Sequence, residues 1–201
     1  MTHVADSIPY PWPYDGLLEP RRTALLIAAD QPALASLSPG APAAHDVLEA
    51  LAEQIRLAGG TVVRVRYGSR APRRSPLMPE TGTPHWELLG SPHPDDVVVD
   101  APGWDATFGS GLLTALRSRS IATVVLGGAA SEITVDSTVR TLNDRGFECL
   151  VLTDACAPLD PELGRHAHAS LTMSGGIFGA LGTVTALSAA LAAARPPEVA
   201  P

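Results

Sequence analysis

Apolar runs of strand length alternate with stretches of helical periodicity along most of this chain. Residues 24–29, 97–99, 123–126 and 150–153 are short, nearly continuous apolar runs, and residues 62–65 lie in a segment where valine and arginine partly alternate. Runs of this length bounded by turn residues read as strands buried in a sheet. Between them, residues 43–58 place Val47, Leu48, Leu51, Ile55 and Leu57 near helical spacing and end at Gly59-Gly60, a helix stop. Residues 109–119, 133–145 and 161–173 read as further helices. Residues 178–194, with Phe178, Leu181, Val184, Leu187 and Leu191 at helical spacing, read as a last one. Five strands alternating with helices predict an α/β fold with three layers, α/β/α, around a mostly parallel, Rossmann-like sheet. Its ligand crevice is expected at the carboxyl ends of the strands.

Two segments break the alternation. Residues 1–22 hold Pro9, Pro11, Pro13 and Pro20 among Tyr10, Trp12 and Tyr14. Proline removes amide donors and fixes φ, so this reads as an extended arm laying its aromatics on a surface. Residues 68–95 carry Pro72, Pro76, Pro79, Pro84, Pro92 and Pro94, a long connection of the kind that serves function or an interface. The single domain is therefore expected over 23–194, preceded by the arm and followed by a flexible tail at 195–201.

Composition narrows the function classes. The chain has 201 residues, 45 % hydrophobic and 17 % charged, as befits one globular domain. A net charge of −7 argues against nucleic-acid or anionic-membrane binding. Two cysteines make no disulfide framework, and no signal peptide or convincing membrane span is visible, so a cytoplasmic location is expected. All 14 basic residues are arginine; there is no lysine. Together with many Ala and Pro residues, this suggests a GC-rich bacterial source.

The segment IATVVLGGAASEITVDSTVRTLNDRGFECLVLTDAC reads as strand, turn, helix and strand. It resembles the nucleophile-bearing segment of the isochorismatase-like cysteine hydrolases, and most of the chain from Tyr10 to Leu191 can be laid against that family. The PYPWPYDG arm and SGGIFGALG look most like its ureidoacrylate and biuret amidohydrolase branch. The resemblance implies an Asp/Lys/Cys triad at positions that here hold Ala29 in TALLIAADQ, Ala101 in VVVDAPGWDATFGSGL, and Thr134 in GAASEITV. Gln31, Pro102, Phe108, Gly109, Gly128 and Val135 match the family's pattern. The pocket it implies is lined by Asp30, Trp104, Phe108, Ala129, Ala130 and Thr134. A cis peptide and oxyanion hole would fall at Ala129–Ala130 and the backbone near Thr134.

Alanine neither moves a proton nor holds a charge, and a threonine hydroxyl is a weak nucleophile without a base in reach. Substitutes for the acid are Asp30, through a one-residue bulge, or Asp100; as capping or solvated carboxylates both have ordinary explanations. Cys156 reads as a structural thiol. His85 and His93 lack a ligand spacing, and His166 and His168 are two apart and point to different helix faces, so no metal and no cofactor are expected. The expectation is a protein without the usual chemistry that binds, scaffolds or regulates, as a homo-oligomer or beside an active paralogue, with a possible small-molecule ligand. The alternative is an atypical hydrolase acting on a small amide, ureide or vinyl ether.

Overall fold

The computed structural model describes residues 2–14, 16–70 and 77–194; the expected tail and Pro72 and Pro76 lie outside them. Strand β1 (Thr23–Ala28) is buried along its whole length and lies at the centre of a six-stranded sheet. The sheet order is β3-β2-β1-β4-β5-β6, formed by β2 (Thr61–Tyr67), β3 (Val97–Ala101), β4 (Thr123–Ala129), β5 (Glu148–Ala157) and β6 (Ala180–Gly182). Every strand pairing is parallel. The connections run through α1 (Pro32–Ala35), α2 (Ala41–Leu57), α3 (Leu112–Ser118), α4 (Thr134–Asp144), α5 (Pro161–Leu171), α6 (Met173–Gly176) and α7 (Val184–Ala194). None of the described helices is long and apolar enough to cross a membrane.

The two-residue period of the strands sorts the core into two halves. Leu26, Val63, Val65, Tyr67 and Val99 pack with Leu112 and Leu116 of α3 and with Val135, Val139 and Leu142 of α4. Leu25, Ile27, Val62, Val125 and Leu150 pack with Leu48, Leu51 and Ile55 of α2 and with Leu187 and Leu191 of α7. Helices thus cover both faces, as an all-parallel sheet requires.

Two expectations are corrected. Residues 178–194 do not form one helix: 180–182 is the sixth strand, paired through Leu150–Ala180 and Val151–Leu181, and only Val184–Ala194 is helical. A short apolar run fits either period, and Gly179 and Gly182 let this one lie against β5. The arm, too, is more than a surface strap. Ile8 and Leu181 exchange backbone hydrogen bonds of 3.0 and 2.8 Å, which covers the edge of β6. Trp12 is fully buried in the α2/α7 half of the core, while Tyr14 remains exposed.

Candidate functional site

The carboxyl ends of β1, β3 and β4 carry the three positions at which the family resemblance puts a triad. Ala29 leaves β1 with a φ of 57°, and its N–H donates to Val65 O at 3.3 Å. Ala101 closes β3, in register with Tyr67 of β2. Thr134 opens α4. Its hydroxyl donates to Ala129 O at 2.8 Å and its N–H to Ala130 O at 2.9 Å. Ala29 and Thr134 are fully buried and Ala101 nearly so.

Two of these positions, Ala29 and Ala101, belong to one buried apolar cluster. Tyr67 shares the face of Val63 and Val65 by strand parity, is completely buried, and belongs to one apolar cluster with Ala29, Ala101, Ala106, Ala130 and Val135. Its ring lies 6.2 Å from that of Trp104, and burial pushes its phenol up, with Thr138 and Asp105 nearby. Gln31 locks this arrangement. Its Oε1 accepts from the Tyr67 N–H at 2.7 Å, and its Nε2 donates to Tyr67 O at 3.1 Å and Trp86 O at 2.6 Å. The Ala129–Ala130 bond is not cis; the cis peptides among the described residues are Ile8–Pro9 and Trp12–Pro13. The family's turn is instead made with Ala130 at a φ of 49°.

Neither substitute acid is free. Asp30 turns toward α2, where its Oδ1 lies 2.8 Å from His45 Nδ1 and its Oδ2 3.7 Å from Arg64. Both oxygens of Asp100 are held by Arg66, at 2.8 and 3.3 Å. Arg66 also pairs with Glu87 and stacks on Trp86 at 3.8 Å. Cys156 lies within β5, and burial pushes its thiol up to about 12. A thiol at that value is almost wholly protonated near neutral pH and is a poor nucleophile.

Open space lies to one side of the buried centre. A cleft of about 570 Å³ over the ends of β2 and β3 is lined by Gly68, Arg70, Trp86, Asp100, Ala101 and Pro102, among others. Of the expected pocket residues, Trp104 is half-buried and Phe108 is 62 % exposed, packing on Gly103; neither they nor Thr134 border the cleft. A second void of about 10 Å³, room for one water, touches Asp30, His45 and Ala129.

The void adjoins the one described grouping whose donor atoms are placed for a metal: Asp30, His45 and Glu49, all within 4.8 Å of one another. Arg64 already stands among them, donating to both oxygens of Glu49, so a guanidinium supplies the positive charge a metal would bring. His85, His93, His166 and His168 are not part of this grouping. Sequence reading missed Arg64 and His45, because the partners come from three separate elements, the end of β1, α2 and β2.

Burial raises the Asp30 carboxyl above its ordinary value of 3.8, and the hydrogen bond from His45 and the charges of His45 and Arg64 only partly offset this. A carboxyl raised on folding holds its proton more tightly in the native state. Its contribution to stability is full below 3.8 and is lost as pH rises through the folded value. The stability of an Asp30→Asn variant relative to the parent is therefore expected to improve between about pH 4 and pH 7. Matched melting curves across that range check it, and a relative change of the opposite sign refutes it.

Residues 23–186 match the Isochorismatase domain. The isochorismatase family protein YecD of Escherichia coli O157:H7 is 29 % identical over 160 residues, 72 % of this chain and 85 % of that protein. A ureidoacrylate amidohydrolase, RutB of Methylobacterium radiotolerans, is 33 % identical over 102 residues, half of this chain but only 38 % of RutB. Among solved structures, a cysteine hydrolase from Pseudomonas syringae pv. phaseolicola superimposes with a TM-score of 0.80 at 20 % identity, covering 89 % of this chain and 96 % of that one. An isochorismatase family protein from Burkholderia thailandensis gives 0.75 at 27 %, covering 87 % and 97 %. With the strand order, the site's place in the sheet and a domain match over most of its length in agreement, this chain belongs to the isochorismatase family.

Proposed function

We propose that this chain has kept the family's fold and given up its cysteine-hydrolase chemistry, and that it works as a binding, scaffolding or regulatory subunit. The observation that carries this reading is Thr134. A nucleophile must face the substrate, whereas this hydroxyl is buried and donates to Ala129 O. The positions at which the family resemblance puts the acid and the cation hold Ala29 and Ala101, which carry no charge and share one buried apolar cluster with Tyr67. Losing groups that act as a unit removes orders of magnitude in rate, not a fraction.

The test is an assay of small amides, ureides (ureidoacrylate included) and isochorismate, with and without iodoacetamide. No thiol-dependent turnover is expected, and Thr134→Cys alone should not create it, because the new thiol is as buried as the hydroxyl and has neither base nor cation. Alkylation-sensitive turnover of about 1 s⁻¹ or faster, an ordinary enzyme rate, sinks the proposal. The subunit role adds self-association or pairing with a catalytic homologue. A monodisperse 20.8 kDa monomer that captures no homologue counts against that part.

One observation favours a second reading. The cleft is open, and a carboxylate, Asp100, stands on its wall, so a water-mediated hydrolase of unusual design is the rival. Its signature is turnover that resists alkylation and disappears in Asp100→Asn.

A further inference from the structure

Charge is distributed unevenly around the cleft over β2 and β3. Its carboxylate, Asp100, is satisfied by the two-pronged contact from Arg66. Its guanidinium, Arg70, is exposed, and no carboxylate or hydrogen-bond acceptor engages it among the described residues. An unpaired cation at the mouth of a concave site is an anion-binding group, since guanidinium forks match carboxylates in geometry and charge.

The rest of the lining fixes the kind of anion. Ala101 and Pro102 offer carbon, and Gly68 and Gly82 leave the floor without side chains. The Trp86 edge packs directly on Gly68: a Cβ there would lie 2.4 Å from the indole Cδ1. Arg66 covers Trp86 at 3.8 Å, so the indole is braced before any ligand arrives. The Trp86 Nε1–H is shielded from solvent and lacks an acceptor among the described residues. Among the described lining residues Arg70 is the one cation without a partner, which matches a single negative charge, and a cationic ligand would meet it. A volume of about 570 Å³ accommodates a metabolite-sized molecule.

We infer that this cleft binds a small organic monocarboxylate, the Arg70 guanidinium pairing with its carboxylate and the Trp86, Ala101 and Pro102 walls holding its apolar body. The inference rests on the reading that the fold now binds rather than turns over. It relocates binding from the buried triad positions to the neighbouring strand ends, and of the three positions only Ala101 is shared between the two places.

Acetate, acrylate and benzoate, with benzamide as the uncharged counterpart of benzoate, are titrated into the intact chain by calorimetry and by ¹H–¹⁵N spectra of the three indole N–H groups. Benzoate is expected to bind saturably with a Kd of about 1 mM or tighter and to shift the Trp86 indole peak, assigned with Trp86→Phe, while that of the buried Trp12 stays in place. Arg70→Gln is expected to weaken binding about tenfold or more, the worth of one charge-assisted pair. Its melting temperature should be unchanged, since Arg70 has no partner among the described residues to lose. Benzamide is expected not to saturate. Three outcomes overturn the inference: no saturable binding of any of the three carboxylates up to about 20 mM, undiminished binding by Arg70→Gln, or equal binding of benzamide. Each leaves the non-catalytic reading standing. That reading falls only to turnover in the hydrolysis assay.

Discussion

Gly128→Ala is expected to cost the fold about 4 kcal/mol or more, most of the margin by which a domain of this size is stable. Gly128 pairs with Ala28 where β4 leaves the sheet and the chain turns toward Thr134. Its φ is 138°, a region that L side chains rarely adopt, and a Cβ built there would sit 2.0 Å from Ala28 O. The obstacle is backbone of the central strand, so no rotamer change relieves it; β1 and β4 would have to part. The control is Gly146→Ala. Gly146 also has a positive φ, 84°, but nothing lies within 4 Å of its added Cβ, so only the conformational penalty of about 1 kcal/mol applies. Urea denaturation of both variants separates the clash from the backbone preference. A Gly128→Ala protein within about 1 kcal/mol of the parent would mean that the β4 turn differs from the one described.

That turn also shows how far the sequence could be read. The GGAASEITV motif placed a strand end, a tight turn and a helix start correctly, because period and turn chemistry are local. The first five strands are readable for the same reason. What stayed hidden depends on residues far apart in the chain. Tyr67 follows the segment in which valine and arginine partly alternate; its complete burial depends on partners far off in the chain, Ala101 in register on β3 and Gln31 thirty-six residues earlier. Trp12 sits in a proline-rich arm whose composition says surface, yet its antiparallel contact with Val4 and the docking of Ile8 on Leu181 carry it into the core. Residues 180–182 fit a helical period as well as a strand because three residues are too few to establish one. Asp30 stood next to the expected acid position, but which way it points was decided by partners on α2 and β2.

Those partners set the second large effect. Arg64→Met is expected to destabilise the protein by about 3–5 kcal/mol, the usual consequence of removing one member of a buried ionic group. Arg64 lies on β2 with its side chain only 3 % exposed. Burial pulls its guanidinium down, but hydrogen bonds to Glu49 and Asp96 more than offset this and leave it above its ordinary value. Its Nε donates to Asp96 Oδ2 at 2.7 Å, Arg56 holds the other Asp96 oxygen at 2.8 Å, and the Asp96 side chain has no exposed surface. Methionine fills much of the same volume, so the loss is chiefly electrostatic. Asp96 would keep one cation instead of two, and Asp30 would lose the positive charge 3.7 Å from its unbonded oxygen. Glu49, at 38 % exposure, can turn toward water and contributes little to the penalty. The double variant Arg64→Met/Asp96→Asn should therefore recover part of the loss, because it removes the charge left stranded. Additive losses would mean that Asp96 is satisfied by Arg56 alone. In that case the cluster joining α2, β2 and the start of β3 would be a set of independent pairs and not one charge-balanced unit.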